Sequence, residues 1–242
     1  RSMDYENPED ANLDNLFEII IKASDNSVDF YEYDLSIRIS NENDPPVFSS
    51  LDGVLIASLD MNENQTSVFT ALAQPVDENA IEITYSKGAG VDDDLFTVNA
   101  QTGEVLFVTA PNFEVPDDNN SDGIYHLEVN ASDGLSHAIQ EVSITVQDVN
   151  ENPVFTPPSS NIEHNESDAT LEISASDFIS DPDSSPQFSY SIDSSLSNDN
   201  QYFLINSSTG IITFNSFIPD FENKLDDDQN SIYEIIVSID DN

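Results

Sequence analysis

The chain has 242 residues, about two ordinary domains, and carries 48 acidic against 5 basic residues, a formal net charge of −43. That balance excludes a nucleic-acid partner, which needs a basic face. It also asks for something to offset self-repulsion in a compact state, multivalent cations first. With no Cys there is no disulfide framework or thiolate metal site, and no run approaches the ~18 apolar residues of a membrane span. A hydrophobic content of 38%, rich in Ile, Val and Phe, keeps the chain out of the disordered class.

In chain order, the first alternating segments turn Phe17, Ile19, Ile21 and Ala23 inward, then Leu35, Ile37 and Ile39. Period two predicts strands. An acidic, proline-closed phrase follows, NENDPPVF at 41–48. LFTVNAQTGEVLF at 95–107 reads as two strands around the tight turn Gln101-Thr102-Gly103. Next, Tyr125, Leu127, Val129 and Ala131 face one way and His126, Glu128 and Asn130 the other. Val142, Ile144 and Val146 continue the pattern. The phrase then returns as DVNENPVF at 148–155. YFLINSSTGIITF at 202–214 repeats the earlier hairpin around Ser208-Thr209-Gly210, and Tyr233, Ile235, Val237 and Ile239 make the last inward set. No segment has a helical period of useful length.

Segments 4–26, 112–134 and 220–242 align without gaps, a repeat of about 108 residues, one small domain each. Several short alternating strands per repeat predict an all-β fold of tandem β-sandwiches. Residues 1–44 hold the C-terminal part of a repeat, 45–151 a complete one, and 152–242 one that lacks its last strand. The repeats at both ends are thus incomplete.

The acids recur in register. Asp4-Tyr5-Glu6, Asn112-Phe113-Glu114 and Asp220-Phe221-Glu222 share one position. Asp25, Asp133 and Asp241 end the longest strand. Asp77-Glu78-Asn79 is answered by Asp181-Pro182-Asp183, and Glu63 by Glu166. The two acidic phrases complete the set. Asp, Glu and Asn without His or Cys suit calcium, which takes six to eight hard oxygen ligands, better than zinc or copper. Proline after each phrase stiffens the entry to the next repeat.

Taken together these positions resemble the cadherin repeat, bacterial cadherin-like repeats in particular, over nearly the whole chain. The resemblance implies Greek-key, immunoglobulin-like sandwiches with calcium at each inter-repeat junction. The upstream repeat gives the early Glu and the Asp-x-Glu, the linker gives the middle, and the downstream repeat gives the Asp-x-Asp and the strand-end Asp. Carried over by position, the junction after 151 uses Glu63, Asn112, Glu114, Asp148, Asn150 and Glu151, with Asp181, Asp183 and Asp241 downstream. The junction near 45 uses Asp4, Glu6, Asn41, Asn43 and Asp44, with Asp77, Asn79 and Asp133 downstream. Asn41, Asn79 and Asn112 replace acids found in the other copies, and the first junction has no early Glu. Fewer charges predict weaker binding or fewer ions there.

The function that the resemblance implies is a calcium-dependent, rod-forming segment of a secreted or membrane-anchored surface adhesin. Its partners would be other copies of itself or another surface protein. The incomplete ends suggest self-association in which one molecule's Leu35–Ile39 strand completes another's open sheet. The alternative is a carbohydrate-binding module of a secreted polysaccharide-associated protein, with Tyr31 and Tyr33, or Tyr190 and Tyr202, as stacking faces. An enzyme is not expected. Carboxylates are too abundant to mark a site, and His126, His137 and His164 share no repeat position.

Overall fold

The computed structural model describes residues 3–25, 30–77, 82–156, 158, 161–183, 186–193 and 199–241. It is all-β, with short 3-10 turns and no α-helix among the described residues. By internal contacts the chain divides into two compact units, Arg1–Asp148 and Val149–Asn242, and the divide falls inside the second acidic phrase.

The first unit opens with a hairpin, β1 (Leu16–Ser24) and β2 (Phe30–Arg38), paired antiparallel. There follow β3 (Val47–Phe48), β4 (Ile56–Asn62), β5 (Ser67–Thr70), β6 (Ala73–Gln74), β7 (Thr84–Lys87), β8 (Phe96–Val98), β9 (Glu104–Phe107), β10 (Ile124–Ser132) and β11 (His137–Gln147). They form a β-sandwich. One sheet runs β4-β11-β10-β7, with β4 parallel to β11, and the other runs β5-β9-β8. The alternation of β10 does the work the pattern predicts. Tyr125, Leu127, Val129 and Ala131 are all buried, as are Val142, Ile144 and Val146 of β11. They pack against Phe96, Val105 and Phe107 of the other sheet. Tyr125 meets Phe107 edge-on, with ring centroids 5.1 Å apart. The turn before β9 also forms as expected. Asn99 Oδ1 accepts the Gln101 and Thr102 N–H groups, and Gly103 has φ +72°. A Cβ there would lie 2.1 Å from the Ala71 carbonyl oxygen, so only Gly fits.

The hairpin departs from expectation. Its register places Phe17, Ile19, Ile21 and Ala23 opposite Ile37, Leu35, Tyr33 and Tyr31 on one apolar face. That face is not inward. Ile19, Ile21, Tyr31, Tyr33, Leu35 and Ile37 are exposed, because no second sheet covers them among the described residues. Alternation reports which residues share a face, not whether the face has a partner.

The second unit contains β12 (Val154–Phe155), β13 (Ile173–Ser174), β14 (Ile179–Ser180), β15 (Phe188–Ile192), β16 (Phe203–Ile205), β17 (Ile211–Phe214) and β18 (Val237–Asp241). Its pairings β12-β14, β13-β17-β16 and β15-β18 repeat β3-β6, β5-β9-β8 and β7-β10. Its core is smaller, with Ala175, Tyr190, Phe203 and Ile212 buried, and Phe188, Tyr233, Val237 and Ile239 packed against them. Tyr190 and Tyr202 are therefore not the stacking faces considered above. Tyr190 is core, with its ring under Gly210. Tyr202 packs on Phe217 and Tyr233, and its hydroxyl donates to the Leu225 carbonyl at 3.0 Å.

Candidate metal centres

The first acidic phrase, in the first unit, lies across two buried carboxylates. Asp77 follows β6. Its Oδ1 accepts the Asn41 side-chain amide at 2.8 Å and its Oδ2 accepts the Asp44 N–H at 2.9 Å. Asp133 ends β10. Its Oδ1 accepts the Leu135 and Ser136 N–H groups, and its Oδ2 accepts the Asn43 amide at 3.0 Å. Glu6 stands beside Asp77 and Asp44. Asp4 holds the turn before it, with its Oδ1 accepting the Glu6 and Asn7 N–H groups at 3.1 Å each. Asn79 lies outside the described residues.

Donors and charges set the protonation of this group. The Ser136 and Leu135 N–H groups hold Asp133 down to about 2, and the Asn41 amide, then the Asp44 N–H, lowers Asp77. Burial, with the Asp77 and Asp44 carboxylates adding to it, raises Glu6. A lowered carboxyl contributes stability that is present above the unfolded value of ~3.9 and lost as pH falls through the folded value. In EGTA, the urea midpoint should therefore fall between about pH 4 and pH 2, and Asp133→Asn should flatten that limb. A limb of unchanged steepness in the variant would deny Asp133 this role.

At the second phrase each unit contributes its own set. In the first unit Glu63 directly follows β4, is only 1% exposed, and its Oε2 accepts the Phe113 N–H at 2.8 Å. Asn112 Oδ1 accepts the Val115 N–H at 2.7 Å. Glu114 offers a carboxylate oxygen within 4.8 Å of those of Glu63 and Asp148. In the second unit Asp181, Asp183 and Asp241 have carboxylate oxygens within 4.8 Å of one another. Asp241 accepts the Asn150 amide at 3.0 Å, the bond that Asn43 makes to Asp133. The Glu151 N–H reaches Asp183 at 2.9 Å, whereas its counterpart Asp44 reaches Asp77, the residue aligned with Asp181. Asp181 Oδ1 accepts the Asp183 N–H, but its Oδ2 is buried with no hydrogen-bond partner. Burial, joined by the Asp183 and Asp241 charges, raises Asp181.

A third set, Glu166, Asp220 and Glu222, also converges within 4.8 Å. Its frame repeats that of Glu63, since Glu166 Oε2 accepts the Phe221 N–H at 2.8 Å. The sequence pattern places these residues in register with those at the two acidic phrases.

Other buried acids serve the fold, and sequence reasoning missed them. Asp10, Asp118 and Asp226 recur at the repeat spacing, and each is buried. Asp118 accepts the Asn120, Asp122 and Gly123 N–H groups. Asp10 accepts those of Asp14 and Asn15, and Asp226 those of Asn230 and Ser231. Asp92 and Asp199 each tie a loop to the chain leading into the next strand. Asp92 accepts the Asn119 and His126 N–H groups, and Asp199 those of Asp227 and Glu234. Part of the negative charge is thus neutralised by backbone dipoles.

No family model matches the chain. Among curated proteins it is 24% identical to mouse (Mus musculus) Cadherin-related family member 3 over 162 residues, covering 64% of this chain and 19% of that protein. It is 28% identical to mouse Protocadherin Fat 4 over 213 residues, covering 79% and 4%. It is 32% identical to Drosophila melanogaster Neural-cadherin over 152 residues, covering 59% and 5%. The chain therefore spans between 4% and 19% of these relatives. Among solved structures, the protocadherin gammaB7 EC3-6 cis-dimer gives a TM-score of 0.53 at 19% identity, covering 87% of this chain and 53% of that one. Protocadherin gamma B7 domains 1-4 give 0.51 at 20% identity, covering 100% and 58%. In sequence the chain is similar to cadherins, and in fold to the extracellular cadherin domains of protocadherins.

Proposed function

We propose that this chain is a segment of an extracellular, cell-surface adhesive protein, and that calcium at its acidic phrases stiffens the tandem. The observation that carries the reading is the Asp181–Asp183–Asp241 cluster with its partnerless buried Oδ2. Three carboxylates held together without a counter-charge repel one another. A divalent cation would relieve all three. The donor set fits calcium: hard oxygens from Asp, Glu and Asn, with no His or Cys. At the second joint the ligands would be Glu63, Asn112, Glu114, Asp148, Asn150 and Glu151, with Asp181, Asp183 and Asp241. At the first they would be Asp4, Glu6, Asn41, Asn43 and Asp44, with Asp77, Asn79 and Asp133. Residues drawn from both sides of a linker onto one ion would restrict its bending, and extracellular modules of this kind fill at roughly 10⁻⁴–10⁻³ M calcium.

The similarity to adhesion proteins supports a surface role, with other copies of the chain or a second surface protein as partners. Among the described residues the apolar face of the β1–β2 hairpin is uncovered and its outer edges are unpaired, which favours self-association through that element.

Calcium titration by calorimetry, with melting curves and mass by light scattering in calcium and in EGTA, tests the reading. Several ions bound and a clear rise in melting temperature are expected. Asp181→Asn should abolish most of that rise. No binding up to about 10 mM would remove calcium from the mechanism. A strict monomer in both conditions would remove the hairpin contact.

A further inference from the structure

The two joints share a frame but differ in the donors that the linker gives the first carboxylate of the Asp-x-Asp position. At the first, the linker gives Asp77 two N–H groups, one on each oxygen, from the Asn41 side chain and the Asp44 backbone. A third donor, from Asn43, closes on Asp133. Both carboxylates are buried, and each of their oxygens has a partner. At the second linker Asn150 makes the matching bond to Asp241, while the Glu151 N–H goes to Asp183 rather than to Asp181. The position of Asn41, however, is taken by Asp148, whose carboxylate has no N–H to give. The aligned carboxylate, Asp181, is the one left with a buried oxygen and no partner.

We infer that Asn41 stands in for a cation. Its side-chain amide latches the first joint without calcium, and the chain's calcium response resides mainly in the second joint. The inference rests on the reading that these phrases are calcium joints, and it assigns them different regulation. To bind an ion through its oxygen, Asn41 would have to turn its amide away from Asp77 and leave Asp77 Oδ1 without its donor. That cost, and the charge missing relative to Asp148, both disfavour loading of the first joint. The tandem would then hold one stiff joint at all calcium levels beside one that calcium switches.

The test is Asn41→Asp in the 242-residue chain, with Asn41→Ala beside it. Asn41→Asp keeps the shape, removes the donor and sets a carboxylate against Asp77. In EGTA it should lower the melting temperature of the first unit by about 3–8 °C, and Asn41→Ala by less. The Asp44 amide, protected from hydrogen exchange in the parent chain in EGTA, should exchange at least tenfold faster in Asn41→Asp. Calcium should restore that protection, and calorimetry should show the first joint binding at least tenfold more tightly than in the parent chain. Unchanged melting and exchange in EGTA would overturn the latch while leaving calcium binding at the second joint intact. Absence of calcium binding in the parent chain would instead remove the calcium reading, and the latch would still stand or fall on the EGTA measurements.

Discussion

Leu127→Ala is expected to cost about 2–5 kcal/mol, whereas Ile19→Ala, one repeat earlier, should cost about 1 kcal/mol or less. The two residues hold the same place in the alternation, each second in its apolar set. Leu127 is 2% exposed, roofed by the sheet that carries Phe96, Val105 and Phe107, so truncation leaves a cavity its neighbours cannot collapse into. Ile19 is 43% exposed, and the residue opposite it across the hairpin is Leu35. Removing its outer carbons takes away little that was withheld from water. Urea denaturation followed by far-ultraviolet circular dichroism is the measurement, since the chain has no Trp. A large loss at Ile19 would show that the hairpin's apolar face is covered in solution. It would count in favour of self-association through that face.

The sandwich was legible because alternation and turn chemistry are local. Tyr125 to Ala131 announce a buried strand face, and the Asn99–Gly103 turn carries its own capping amide and its left-handed Gly. The acids that gather at the linkers were legible for a different reason: they recur in register, so each copy vouches for the others. What stayed hidden depends on contacts distant in sequence. Whether Ile19 is covered depends on a sheet, not on its neighbours. Asp118 and Asp226 sit in runs, Asp117-Asp118 and Asp226-Asp227-Asp228, where one carboxylate turns in and the rest face solvent. Only their spacing, continued back to Asp10, marks them out. The short pairs β3-β6 and β12-β14 span two residues each, too few for any periodicity to show. The change of partner between Asp44 and Glu151 follows from loop shape, which the alignment of Asp77 with Asp181 cannot carry.

Asp118→Ala should destabilise the first unit by on the order of 2–4 kcal/mol, and by the same amount in calcium and in EGTA. The carboxylate gathers three backbone N–H groups, from Asn120, Asp122 and Gly123, that the loop cannot satisfy by itself. Ser121 and Gly123 are held at φ +56° and +76°, a left-handed pair that the Asp118 carboxylate keeps folded. The loop delivers the chain into β10, and the Tyr125 hydroxyl accepts the Asp117 N–H at 3.2 Å, so its loss reaches the aromatic core. Asp118→Asn keeps the size but turns an N–H toward other N–H donors, and should recover little. Asp181→Asn is the counterpart. It removes a charge that the fold does not pair, so in EGTA it should leave stability unchanged or slightly raised, and in calcium it should lower it. The calcium dependence of each loss, rather than its size, therefore distinguishes acids that hold the backbone from acids that await a cation. If Asp118→Ala lost stability only in calcium, its carboxylate would belong with the ligands and its backbone bonds would be secondary.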